Sequence, residues 1–153
     1  MNRRELLAGA GAVAGTFTAG MALASEFSPF EDHHHAGPGD HSHTANTLVD
    51  FSLHCIATGR ACIAHCMMAL DNGDKSMSAC NKAVHNMVEV CTTLVSLASY
   101  GTNPVLLKEY AAVCAKYCTA CAKACRAHTT HKSCLDCMKS CEACAQACLA
   151  FAA

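Results

Sequence analysis

Residues 133–148 read SCLDCMKSCEACAQAC, from Ser133 to Cys148. Five cysteines stand there, Cys134, Cys137, Cys141, Cys144 and Cys148, at spacings of three, four, three and four. That is a helical heptad rhythm with sulfur in the core positions. At about 100° per residue, the five side chains fall in a stripe roughly 80° wide. The preceding stretch does the same with Cys114, Cys118, Cys121 and Cys125, in a stripe roughly 60° wide. Positions that a helical bundle normally fills with Leu or Ile carry thiols.

The rest of the composition sharpens the question of what these thiols are for. The chain has 153 residues, a length that suits one domain, with 14 cysteines and no Trp. Hydrophobic residues make up 52%, yet many are Ala and Cys, so the aliphatic core is thin. A further stabiliser is expected, whether disulfide, metal or oligomerisation. The net charge of −1, with no Lys/Arg block, argues against a nucleic-acid partner.

The first 24 residues read as a leader rather than as fold. Arg3 and Arg4 precede an Ala- and Gly-rich run that ends at Ala22-Leu23-Ala24, a small-x-small cleavage signal. The paired arginines point to twin-arginine export, with an ordinary secretory signal as the alternative, and hence to a periplasmic location. The run is too short and Gly-rich to span a membrane well, so no membrane association is expected after its removal. Residues 25–44 read as a disordered tail carrying His33, His34, His35, His41 and His43. Weak metal binding and a purely solubilising linker both suit such a tract.

Residues 45–153 carry an all-α pattern. Helix 1 is expected from about Asn46 to Leu70, capped by Thr44 or Asn46, with Cys55, Cys62 and Cys66 on one face continued by Leu48 and Phe51. Gly59 lies on that face, where a bulky residue would crowd the sulfurs. Asp71-Asn72-Gly73-Asp74 is a turn. Helix 2 is expected from about Lys75 to Ser99, with Cys80 and Cys91 sharing a face with Met77, Val84, Met87 and Leu94. Gly101 supplies a left-handed stop, and Pro104 suits the first turn of helix 3, expected to run to about Ala127. Helix 4 is expected from about Lys132 to Phe151. Three short connections between four long helices imply an antiparallel up-down-up-down four-helix bundle with a cysteine-lined core.

Several chemistries compete for these thiols. An exported protein with an even cysteine count suggests disulfides, but neighbours three or four apart on a helix meet the disulfide dihedral poorly. Cys₄ zinc sites carry a net charge of about −2 each, and several buried together would repel. Iron–sulfur clusters need wrapping loops. A thiol redox enzyme needs one activated CxxC at a helix start beside a sheet, and no sheet pattern occurs. Copper(I) fits best. It is soft, monovalent and content with two or three thiolates. Pairs four apart, Cys62/Cys66, Cys114/Cys118, Cys121/Cys125, Cys137/Cys141 and Cys144/Cys148, present both sulfurs to one ion. One copper per bridging thiolate leaves the filled core near neutral, and the empty core of protonated thiols is neutral too.

The CxxC/CxxxC runs, the four-helix pattern and the twin-arginine leader together resemble the bacterial copper storage protein family. The resemblance covers roughly residues 45–151 and the leader. It implies a homotetramer of bundles, each storing many copper(I) ions, with exported members supplying copper enzymes. It implies a metal-ligand role for Cys55, Cys62, Cys66, Cys80, Cys91, Cys114, Cys118, Cys121, Cys125, Cys134, Cys137, Cys141, Cys144 and Cys148.

The two ends of such a bundle differ. His65, Met67, Met68, Met77, His128, His131 and Met138 gather at the end that holds the helix 1–2 and 3–4 connections. Thioethers and imidazoles there suit an entry site, although core-filling methionines and surface histidines account for the same residues. Leu48, Phe51, Leu94, Leu97, Leu106, Leu107 and Phe151 are expected to plug the opposite end. His54 and His85 fall off the sulfur stripes. The reading is an exported, non-enzymatic copper(I) store whose client is a copper enzyme or chaperone. A disulfide-stapled helical binding module and a metallochaperone carrying one or two ions are the alternatives.

Overall fold

The computed structural model describes residues 41–153, with side chains from Ala45 onward. The expected leader, residues 1–24, and residues 25–40 of the expected tail lie outside the described residues.

Four helices form: α1 His41–Asp71, α2 Ser78–Ser99, α3 Pro104–Arg126 and α4 Lys132–Ala152. Among the described residues there is no strand. α1 begins earlier than expected. Thr44 and Asn46 are helix interior rather than caps, and residues 41–44 belong to α1 rather than to a tail. The stretch Asp40–Ala45 contains neither Gly nor Pro, so nothing there stops the helix from extending backwards. The first turn expected of α2 tightens instead into a 3₁₀ turn, Lys75–Met77. The Asp74 carboxylate accepts from the Ser76 backbone N–H at 3.0 Å and from its hydroxyl at 2.6 Å, which caps that turn.

The turns follow from local chemistry. Gly73 at φ +88° and Gly101 at φ +70° take the left-handed conformation that ends α1 and α2. Beyond them, Asp74 N–H donates to Ala69 C=O at 3.0 Å and Thr102 N–H to Leu97 C=O at 3.2 Å, the six-to-one bond of a Schellman stop. Asn103 then caps α3, its side chain accepting from Val105 N–H at 2.9 Å, with Pro104 as the first helical residue.

α1 packs on α2 and α4, and α3 packs on the same two, so the helices stand in a square ring whose diagonal members meet only through the side chains that reach its axis. Side-chain pairs set the directions. Ser52, Cys55 and Cys62 ascending α1 meet Cys144, Cys141 and Cys134 descending α4. Cys80 and Cys91 on α2 meet Cys125 and Cys114 on α3. Neighbouring helices are therefore antiparallel, with both the α1–α2 and α3–α4 connections at one end.

The core is one stripe from each helix. α1 offers Leu48, Ser52, Cys55, Gly59, Cys62 and Cys66, all buried. The 3₁₀ turn offers Met77, and α2 offers Cys80, Val84, Met87, Cys91 and Leu94. At the end away from the α1–α2 turn, Leu48, Leu94 and Leu107 are buried, with Leu97 and Phe151 packed against them. Phe51 and Leu106 are not part of that seal: they are 39% and 57% exposed. Each sits one position off its helix's core stripe, and one residue is a rotation of about 100°, enough to turn a side chain to solvent. α1 is long and apolar enough to cross a bilayer by length and composition, but its thiol stripe faces the other three helices.

Candidate metal centre

All fourteen cysteines are fully buried, and all are free thiols. Each helix contributes through its own period of three and four. The square ring then turns the four stripes toward one axis, so the sulfurs line a continuous interior column.

Sulfurs within 4.8 Å of one another fall into overlapping groups along that column. Nearest the connections are Cys62, Cys66, Cys80 and Cys134, then Cys62, Cys125 and Cys137, then Cys121, Cys137 and Cys141. Further in are Cys55, Cys91, Cys118 and Cys144, then Cys114, Cys144 and Cys148. The closest pairs are Cys80–Cys125 at 3.4 Å and Cys55–Cys141 and Cys91–Cys114 at 3.5 Å. Pairs four apart on one helix stand at 4.0 Å, both Cys62–Cys66 and Cys137–Cys141. A disulfide needs its sulfurs at about 2.05 Å, so these are contacts between separate thiols.

Two thiolates 3.5 Å apart repel by about 5 kcal/mol even at an effective dielectric of about 20. Adjacent thiols in the empty column therefore cannot all ionise. Burial, with the charges of Cys80 and Cys134 beside it, pushes the Cys66 thiol up to about 12. Burial likewise raises Cys134. The thiols that come down do so because neighbours stay protonated and donate to them. Cys125 donating to Cys80 brings it to about 3, Cys118 donating to Cys114 brings it to about 5, and Cys118 and Cys141 beside Cys55 bring it to about 6. Protons thus do in the empty column what a monovalent soft cation does in a filled one: each offsets one sulfur charge.

Three buried groups beside the thiols were not among the expected ligands. The thioether of Met87 lies 3.3 Å from Cys55 Sγ and 3.7 Å from Cys91 Sγ. Ser52 takes the next core position below Cys55; its hydroxyl donates to Leu48 C=O at 2.8 Å and lies 3.8 Å from Cys144 Sγ. Ser140 donates to Cys137 C=O at 3.0 Å and pairs with Thr58 at 2.5 Å, joining α4 to α1 beside the sulfurs. The helical period marked Met87 as core-facing, whereas on α1 the position expected in the core was Phe51 and the buried one is Ser52; only the register between helices shows which sulfurs they meet. The atoms nearest to Gly59 are methyls rather than thiols. A Cβ there would stand 2.7 Å from the Met87 methyl and 2.8 Å from a Val88 methyl.

The seven residues expected at the entry end are not one cluster. His65 and His131 meet, with ring centroids 4.6 Å apart and tilted by 43°, and the buried Nε2 of His65 has no hydrogen-bond partner within the protein. The Asp74 carboxylate is held low by the Ser76 hydroxyl and backbone, and also by nearby His128 and His131. Met77 is buried, and Met138 is half-buried against the core. Met67 and Met68, by contrast, are 50% and 59% exposed, because they follow Cys66 around α1 by about 100° and 200°. His54 and His85 are exposed, off the sulfur stripes.

A family model described as copper storage protein matches residues 41–153. Among solved structures, the chain is similar to apo copper storage protein 3 (Csp3) from Bacillus subtilis. The two are 25% identical with a TM-score of 0.65, and the match covers 71% of this chain and 99% of the other. No curated protein matches the chain in sequence.

Proposed function

Because the chain belongs to the copper storage protein family, we propose that its sulfur column holds copper as copper(I), many ions to a chain. The observation that carries this is the set of fourteen free, fully buried thiols arranged in overlapping groups within ligand reach. Copper(I) suits it for three reasons. It is soft, it accepts two or three thiolates, and its single charge offsets one sulfur each. Bridging thiolates then approach one ion per sulfur without leaving a strongly charged interior. Zinc in the same groups would leave a net charge of about −2 at each four-thiolate site.

All fourteen cysteines serve as ligands in this reading. Metal enters past the His65, His131 and Met77 end and passes inward between neighbouring sulfurs. The role is storage without catalysis. The paired Arg3 and Arg4 support twin-arginine export to the periplasm, where the store serves a copper enzyme or chaperone as client. Family resemblance supports a homotetramer.

Titration of reduced protein with copper(I), in competition with a chromophoric chelator, tests the reading. Uptake on the order of one ion per cysteine is expected. Saturation at one or two ions indicates a chaperone instead. Thiols that are undetectable after denaturation without reductant indicate a disulfide-stapled module.

A further inference from the structure

α2 carries the fewest inward thiols. Between Cys80 and Cys91 its core-facing positions are Val84 and Met87. Met87 is fully buried, and its sulfur is placed among other sulfurs rather than among hydrocarbon. Cys55 donates to its Sδ at 3.3 Å from α1, and Cys91 donates to it at 3.7 Å from one turn further along α2. Both thiols belong to the inner four-cysteine group with Cys118 and Cys144.

A second observation concerns the opposite wall. Gly59 is buried in the middle of α1, where glycine costs a helix roughly 1 kcal/mol relative to alanine. The missing side chain is what gives the Met87 methyl its place, since a Cβ at Gly59 would approach that carbon to 2.7 Å. The methyl is therefore held toward α1 at Gly59, while the sulfur faces Cys55 and Cys91.

We propose that Met87 is a fifteenth sulfur ligand, a thioether that completes the coordination of a copper(I) ion shared with Cys55 and Cys91. This rests on the reading of the column as a copper(I) store. The thioether is soft and neutral, so it adds a donor to the inner group without adding negative charge. In the empty protein its sulfur already lies within hydrogen-bond reach of both thiols. As copper binds, whatever protons Cys55 and Cys91 carry leave to solvent, and the ion sits between the two thiolates and the thioether. No oxidation or reduction occurs.

The test uses the full-length chain made with selenomethionine, with M21L, M67L, M68L, M77L and M138L introduced so that Met87 is the one internal selenium. It is reduced, loaded with copper(I), and measured by X-ray absorption at the selenium edge. A copper neighbour at bonding distance from selenium is expected, and it is lost when Met87→Leu is added. Selenium that sees carbon alone, in protein that still takes up its many copper ions, overturns the proposal and leaves the storage reading standing. Protein that folds but takes up no copper(I) overturns both. Should the multiple replacement not fold, methyl-¹³C-methionine in the natural chain gives the same answer. The methyl resonance that Met87→Leu removes is expected to move downfield on loading, and an unmoved resonance in loaded protein overturns the proposal.

Discussion

The Sγ atoms of Cys55 on α1 and Cys141 on α4 lie 3.5 Å apart, and this contact joins the outer run of sulfur groups to the inner one. The outer groups share Cys62 and Cys137; the inner groups share Cys144. Cys141 belongs to the outer set and Cys55 to the inner.

Replacing Cys141 with serine should therefore interrupt transfer more than capacity. A hydroxyl nearly conserves the volume but is a poor donor for a soft ion. Total uptake is expected to fall by about one or two ions of the fourteen-thiol complement. Filling should split into a fast phase for the outer groups and a slow one for the inner groups. Stopped-flow uptake from a copper(I) chelate reads both quantities. A single phase at the natural rate would show that copper reaches Cys55 by another path.

At the connection end, leucine at Met67, Met68, Met77 and Met138 conserves volume and removes four thioethers. Uptake and chelator-driven removal should slow, with final capacity retained by the thiols. Met77, buried at the connection end, should account for most of the effect, and the exposed Met67 and Met68 for less. Single replacements compared by the same kinetic assay check that order; equal rates for natural and fourfold-replaced protein would leave the methionines as packing.

Gly59→Ala tests the fit between α1 and Met87. In a helix interior alanine ordinarily stabilises by about 0.5–1 kcal/mol. Here its Cβ would lie 2.8 Å from a methyl of the stiff, branched Val88 and 2.7 Å from that of Met87. Overpacking of this kind costs about 1–3 kcal/mol, so the net change should be destabilising by about 1–2 kcal/mol. Urea denaturation of the reduced, metal-free protein measures it. A stabilised variant would show that the two methyls yield freely.

The alkaline limit of the empty protein should depend on Cys66. Its folded-state value is pushed up to about 12, first by burial and then by the charges of Cys80 and Cys134. An unfolded thiol ionises near 8.5. A raised value in the folded state stabilises fully below the unfolded one and loses that contribution as pH rises toward the folded one. The part of the melting temperature due to Cys66 should therefore fall between pH about 8.5 and 12 in the metal-free protein. Cys66→Ala should flatten that limb relative to the natural chain, and copper loading should flatten it as well, because the proton has already left. Parallel profiles for the variant and the natural chain would count against the assignment.

What the sequence by itself determined lies along single helices. The three-four spacing put the thiols of α3 and α4 on narrow stripes, and the Gly101–Pro104 stretch marked the α2–α3 boundary, because helical period and turn chemistry act over a few residues. Only the tertiary structure decided what each stripe faces. Rotation about each helix axis and register between neighbours come from the packing of all four. That packing set Cys80 against Cys125 and Cys55 against Cys141. It also placed Gly59 against the Met87 methyl and so aimed a thioether into the thiols. Periodicity specifies an angle on one helix, whereas a coordination sphere needs distances between helices, and those exist only once the bundle has closed.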